Sequence, residues 1–358
     1  MAMEKHYKEK IKVLVVDDSA FMRKVISDIL GSDEEIEVVD TAKSGIDALE
    51  KAVELRPDVI TLDVKMPEMD GLECLRELNR LGKIPVIMLS SVTKDGAEAT
   101  IQALADGAID FITKPSNIFN MNGEEKRKEI IEKVKIARYS LRDLNINKHP
   151  KSKKMQVENN ANDAISNLVL IGTSTGGPKA LQDVIPLIPE NVNAAFLVVQ
   201  HMPAGFTKSL ADRLDGISKV NVKEAENDEK IKTGYVYLAP GDYHMIVEKY
   251  DDNNLKIKLT KDPPVGGHRP SVDVMMESVS NTGFKNIIAV IMTGMGGDGS
   301  EGVKMLKNIN KAKIIAQDEN TCVVFGMPRV AILTGVVDVV TPLNEITGEI
   351  MKIVGVHK

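Results

Sequence analysis

Short apolar runs recur along the chain, each ending abruptly in polar or glycine-rich sequence. Ile11 to Val16, Asp58 to Leu62, Pro85 to Leu89 and Ile109 to Ile112 lie in the first half; a run from Leu168, Ala194 to Val199 and Ile287 to Met292 lie in the second. Separated by stretches of helical length, they predict buried strands of parallel sheets. Pro178 to Leu187 predicts a helix, and Glu124 to Leu144 an amphipathic one, with Ile130, Ile131, Val134 and Ala137 at helical spacing. The sequence after it is polar and poor in large apolar residues, which predicts a flexible tether. The chain therefore divides into a domain over residues 9–145, a linker over 146–166 and a domain over 167–358. The expected fold class is α/β, two doubly wound domains.

Chemistry concentrates where the apolar runs end. The Leu168 run leads into Gly172-Thr173-Ser174-Thr175-Gly176, a glycine-flanked turn that exposes a serine hydroxyl ahead of a helix N-terminus. Alone, that turn suits a nucleophile or a phosphate-binding loop equally. The next strand ends in Gln200-His201, where a dinucleotide fold would present an acid to the ribose. A third opens into Thr293-Gly294-Met295-Gly296-Gly297-Asp298-Gly299. Sites of open parallel sheets form at carboxyl strand ends, so Ser174, His201 and Asp298 can converge. Asp242 and Asp273 are rival acids, read more simply as turn and helix-cap residues.

In the first half, Asp17 and Asp18 follow one run and Asp63 another. Clustered carboxylates repel one another unless a hard divalent cation, Mg²⁺ by its preference for oxygen ligands, neutralises them and orients a phosphoryl group. Ser90 and Lys114 follow the next two runs and can bind phosphoryl oxygens.

Six ordered blocks, GTSTGGP at 172–178, VVQHMP at 198–203, LAPGDYH at 238–244, GHRPSVD at 267–273, TGMGGDG at 293–299 and CVVFGMP at 322–328, resemble the catalytic domain of the chemotaxis protein-glutamate methylesterase family, CheB. The first half resembles a response-regulator receiver. The resemblance implies an N-terminal flavodoxin-like (βα)5 receiver and a C-terminal Rossmann-like parallel-sheet hydrolase domain. It further implies a phosphorylation-activated serine hydrolase that demethylates glutamate methyl esters on methyl-accepting chemoreceptors and deamidates particular glutamines. Ser174 would be the nucleophile, His201 the base and Asp298 its orienting acid, with oxyanion-hole amides near Thr175 and Met295. In the receiver it makes Asp63 the phosphoacceptor, charged by a chemotaxis histidine kinase. Mg²⁺ would be held by Asp18, Asp63 and the Lys65 carbonyl, with Asp17 completing the pocket, and the hydrolase site would need no cofactor. Ser90 and Lys114 would read out the phosphoryl group while Phe111 changes rotamer. Two positions depart from the usual receiver: serine stands at Ser90 where threonine is frequent, and Lys65 places a cation where acids or amides are common. His244, His268 and Arg269 receive no role beyond structural support.

A receiver joined to an esterase leads to the expectation that the unphosphorylated receiver covers the strand-end site. A net charge of -6 argues against nucleic acid or anionic membrane as a partner. The N-terminus lacks an apolar targeting core, no run approaches membrane-spanning length, and Cys74 and Cys322 lack metal-ligand spacing, so a cytoplasmic protein with two buried thiols is expected. Two other outputs remain: an amidase or esterase with a different substrate, and a non-catalytic domain binding nucleotide or phosphate.

Overall fold

The structure is a computed structural model that describes residues 9–82, 84–114, 123–139, 165–251 and 254–355. The chain separates into two compact units, residues 1–146 and 147–358. Most of the predicted linker, residues 146–164, and the end of the predicted helix, 140–144, lie outside the described residues.

The first unit alternates β1 (Ile11–Val16), α1 (Ala20–Gly31), β2 (Ile36–Ala42), α2 (Gly45–Leu55), β3 (Val59–Asp63), α3 (Gly71–Leu81), β4 (Val86–Ser90), α4 (Lys94–Ala105), β5 (Asp110–Thr113) and α5 (Glu124–Tyr139). Its strands form one parallel sheet in the order β2-β1-β3-β4-β5, the flavodoxin-like order. β3 and β4 are buried along their whole length, as strands covered by helices on both faces must be. Ser19, Ser44, Asp70 and Thr93 each accept an amide hydrogen bond as N-caps, so four helices start close behind strand ends and the connecting loops stay short. On α5, Ile130, Val134 and Ala137 are buried and Ile131 is half-buried.

The second unit runs β6 (Leu168–Thr173), α6 (Gly177–Val184), β7 (Ala195–Gln200), α7 (Phe206–Ile217), β8 (Asn221–Glu224), β9 (Tyr235–Leu238), β10 (His244–Lys249), β11 (Leu255–Thr260), α8 (Val272–Ser280), β12 (Ile287–Ile291), α9 (Ser300–Asn310), β13 (Lys313–Gln317), α10 (Met327–Leu333), β14 (Val339–Thr341) and α11 (Ile346–Val354). A seven-stranded parallel sheet has the order β14-β13-β12-β6-β7-β9-β8. The chain leaves β6 toward β7 and returns on its other side at β12, so the strand order reverses between β6 and β12. That reversal opens a crevice at the carboxyl edge. The β10-β11 hairpin is a separate antiparallel pair whose alternating burial did not register as an apolar run. One expectation is corrected: Cys74 is buried on α3, but Cys322 is half-buried in the loop between β13 and α10, where its amide closes a turn on the Glu319 carbonyl (3.3 Å) and does not join the sheet.

Candidate active site and acidic pocket

Ser174 follows β6 on the central strand of the crevice. Its amide donates to the Thr293 carbonyl (3.0 Å), and the Thr173 hydroxyl donates to the same oxygen (3.0 Å). Gly176 turns the chain into α6 at φ +77°, a left-handed conformation that β-carbons resist. Gly294 lets the loop after β12 press on the serine, since a Cβ there would lie 2.8 Å from Ser174 Cβ. The Thr293 hydroxyl spans this junction, donating to Thr175 O (2.9 Å) and accepting from Val324 N (3.0 Å), so the 322–328 segment braces the serine turn. Neither the Thr175 nor the Met295 amide donates a hydrogen bond to a described residue.

His201 arrives by register. Thr173 pairs with Gln200, and the His201 amide donates to Thr173 O (3.2 Å), so Ser174 and His201 each directly follow the end of one of two adjacent strands. The buried Gln200 side-chain amide donates to the carbonyls of Ser174 (3.0 Å) and His201 (3.1 Å), fixing both turns.

Asp298 meets His201 Nε2 at 2.7 Å, and the two side chains are only 8% and 7% exposed. Its other partners come from the start of α8: the Ser271 hydroxyl (2.9 Å) and the amides of Val272 (2.7 Å) and Asp273 (2.9 Å). Burial alone would raise this carboxyl. The hydrogen bond and charge of His201, with the Asp273 and Val272 amides at a helix N-terminus, outweigh burial and bring it down to about 2. Asp298 is therefore ionised and accepts, so Nε2 carries the imidazole proton and Nδ1 holds the lone pair. Nδ1 is buried and without a hydrogen-bond partner, and Ser174 Oγ also makes no hydrogen bond among the described residues.

The rival acids occupy other places. Asp242 sits in a left-handed turn and pairs with Arg269 (2.5 Å). Asp273 accepts from Gly302 N (2.7 Å) at the start of α9. The capping is reciprocal: Asp298, just before α9, caps α8, while Asp273, in α8, caps α9. Burial, opposed by the Gly302 amide and reinforced by the Asp298 charge, pushes the Asp273 carboxyl up to about 6.

In the first unit, Asp17, Asp18 and Asp63 offer carboxylate oxygens within 4.8 Å of one another. Ligands of an octahedral ion at about 2.1 Å are about 3 to 4 Å apart, so this all-oxygen set fits a small hard cation after slight contraction. Lys114 Nζ bridges Asp17 and Asp63 at 2.7 Å each. Burial, with the Asp17 charge, raises the Asp63 carboxyl against the pull of Lys114; the two ion pairs raise Lys114 although its burial opposes that. The Lys65 amide donates to Asp63 (3.3 Å), and its side chain points to Asp95 (3.3 Å) in an exposed pair. The Ser90 hydroxyl is engaged by Gly96 O (3.1 Å) and Thr100 Oγ1 (2.7 Å). Phe111 is buried, its carbonyl accepting from Lys133 (2.6 Å) and that ammonium lying 5.2 Å from its ring centroid.

Comparison with known proteins places both units. Residues 169–350 match the family model described as CheB methylesterase, and residues 13–122 match the response regulator receiver domain. The chain belongs to the CheB methylesterase family. It is 46% identical to protein-glutamate methylesterase/protein-glutamine glutaminase 1 of Syntrophomonas wolfei, with 95% of this chain and 98% of that protein covered. It is 47% identical to the corresponding protein of Pyrococcus horikoshii, with 96% and 94% covered. The crystal structure of the Thermotoga maritima CheB methylesterase catalytic domain superposes with a TM-score of 0.50 at 44% identity, covering 52% of this chain and 97% of that one.

As a CheB-family catalytic unit, the second half surrounds His201 with Ser271, which the sequence left without a part, with Asp273, read there as a helix cap and found capping α9, and with His268, read there only as structural support. Ser271 and Asp273 surround Asp298, and the His268 ring stacks on His201 with centroids 3.8 Å apart and planes 9° from parallel. All three lie in the GHRPSVD block. The block was a signal, but no spacing rule tells which of its side chains meets a histidine some seventy positions earlier. In the receiver unit, Thr100 and Lys133 were missed for the same reason.

Proposed function

We propose that the chain is a protein-glutamate methylesterase and protein-glutamine deamidase that works through Ser174, His201 and Asp298. The observation that carries the assignment is the buried His201–Asp298 pair, which leaves Nδ1 as the free base beside the strand that ends in Ser174. Ser174 attacks the ester carbonyl carbon while its proton passes to His201 Nδ1. Asp298 keeps the proton on Nε2 and stabilises the imidazolium. The Thr175 and Met295 amides are the donors toward the tetrahedral oxyanion, a contribution on the order of 3 kcal/mol for one donor. As the tetrahedral intermediate collapses, His201 gives its proton to the leaving methoxy oxygen, releasing methanol, or to the amide nitrogen of a glutamine, releasing ammonia, and water then cleaves the acyl-enzyme along the same route. The names of the relatives point to glutamate methyl esters and glutamines of proteins as the substrates, and in our reading these lie on chemoreceptor helices.

Asp63 is the phosphoacceptor in this reading, supplied by a chemotaxis histidine kinase in the cytoplasm. Asp18, Asp63 and the Lys65 carbonyl would hold Mg²⁺, which offsets carboxylate charge and supplies electrophilic help to phosphoryl transfer. Lys114 binds a phosphoryl oxygen, Ser90 turns from Thr100 toward the phosphoryl group, and Phe111 follows. Support comes from the 4.8 Å acidic cluster and the Lys114 bridge.

The test is methanol release from methylated chemoreceptor by wild type and Ser174→Ala, each with and without a small phosphodonor and Mg²⁺. Wild type should release methanol faster with phosphodonor, and Ser174→Ala should lose at least 10³-fold in rate, on the order of the loss when a triad nucleophile is removed. Release that does not depend on Ser174 would return the glycine loops to a binding role.

A further inference from the structure

His201 is held at one edge by Asp298, but that bond leaves a freedom. Nε2 lies nearer than Nδ1 to the Cβ–Cγ axis, so rotation about χ2 displaces Nδ1 more than the nitrogen that Asp298 holds. Such terminal torsions have broad wells and do not fix themselves. A base whose Nδ1 swings out of line loses the aligned proton transfer on which attack depends. A flat group lying on the ring face would block the swing. His268 is that group, parallel within 9° at a centroid separation of 3.8 Å.

His268 is itself secured. Val265 and His268 exchange backbone hydrogen bonds (3.1 and 3.0 Å), closing the turn that carries the ring. Arg269 anchors the next position, donating to the carbonyls of Lys261 (3.1 Å) and Asp262 (3.0 Å) and to the Asp242 carboxylate. Two residues later, Ser271 begins the group of donors on Asp298. One segment, residues 265–273, thus meets His201 twice, at its face through His268 and at its Nε2 edge through Asp298.

We propose that His268 is a positioning residue for the hydrolase, fixing the imidazole plane so that Nδ1 stays aligned with Ser174. This rests on the assignment of Ser174 and His201 made above. The group required is a planar face, and an imidazole is not essential. His268→Ala should lower kcat for methanol release about 10- to 100-fold, the scale of a misaligned catalytic group, with KM changed less than about twofold. His268→Phe should recover most of that loss.

The experiment is steady-state kinetics on the full chain with Mg²⁺ and phosphodonor, comparing wild type, His268→Ala, His268→Phe and Ser174→Ala, with thermal melting of each. Low kcat in the Ala variant with recovery in Phe supports the proposal. Wild-type kcat in the Ala variant overturns it, as does equal loss in Ala and Phe when both melt like wild type. If Ala melts early, the Phe variant decides: near-wild-type turnover supports the role of the face, and turnover as low as in Ala with normal melting overturns it. Full turnover by Ser174→Ala overturns the underlying site assignment, a result separate from any His268 outcome.

Discussion

At the scale of single residues, two carboxylates separated by one hydrogen bond have opposite proton affinities. Asp298 gains an imidazole and helix-terminal amides, and its carboxyl falls to about 2; Asp273 is buried beside that charge, and its carboxyl rises to about 6. Their linkage to stability differs in sign. Asp273 starts from 3.8, so folding takes up a proton between about pH 4 and 6; its stabilising contribution is full below that window and is lost as pH rises through 6. Asp298 contributes above its unfolded value of 3.8, and the contribution is lost as pH falls through 2. Asp273→Asn keeps an acceptor for Gly302 N and removes the like charge. The melting temperature of the variant should therefore fall less than that of wild type between pH 5 and 7, measured by calorimetry; parallel curves would show that Asp273 does not titrate in this window. The sequence placed Ser174, His201 and Asp298 at strand ends because apolar runs stop there. It could not give the nitrogen of His201 that meets Asp298, since that depends on where α8 delivers its amides.

Among the elements, the strands were the most legible. Runs such as Val13 to Val16 and Ile287 to Ile291 are buried on both faces and carry no competing helical period. The predicted helix Pro178 to Leu187 became α6 to Val184 followed by a 3₁₀ turn at Ile185–Leu187, with Pro186 within it. Proline lacks the amide needed to continue the α-helical ladder. Contacts between elements were not legible, and the link from α4 to β4 illustrates this. Thr100 sits seven positions into α4, its hydroxyl shared between Gly96 O and Ser90 Oγ (2.7 Å each). Ser90 lacks the methyl that would restrict its rotamer, and Thr100 supplies a hydrogen bond that does so. Thr100→Val removes that bond at similar volume, with a change of about 1 kcal/mol in the balance between resting and switched Ser90. The phosphodonor concentration for half-maximal methylesterase activation should drop about fivefold, and an unchanged midpoint would remove Thr100 from the switch.

For the whole molecule, the matches to a receiver and to a CheB catalytic domain join two units with separate sheets. If the receiver restrains the hydrolase, deleting residues 1–145 should give methanol release that is faster than that of unphosphorylated wild type and indifferent to phosphodonor; unchanged release would rule out simple autoinhibition. Slower release would make the receiver an activator of the hydrolase. A truncated chain is a fair subject, since the matching Thermotoga domain was crystallised as a catalytic domain. Among the described residues no helix is long and apolar enough to cross a membrane. The sequence by itself determined the two α/β halves, the strand ends at which chemistry appears and the residue types offered there, because burial pattern and turn glycines are local properties of a chain. Tertiary structure alone decided that β6 and β12 flank the crevice, that α8 and α9 cap each other through Asp298 and Asp273, and that His268 covers His201. These are contacts between segments far apart in sequence, set by sheet order and helix docking, which no local pattern encodes.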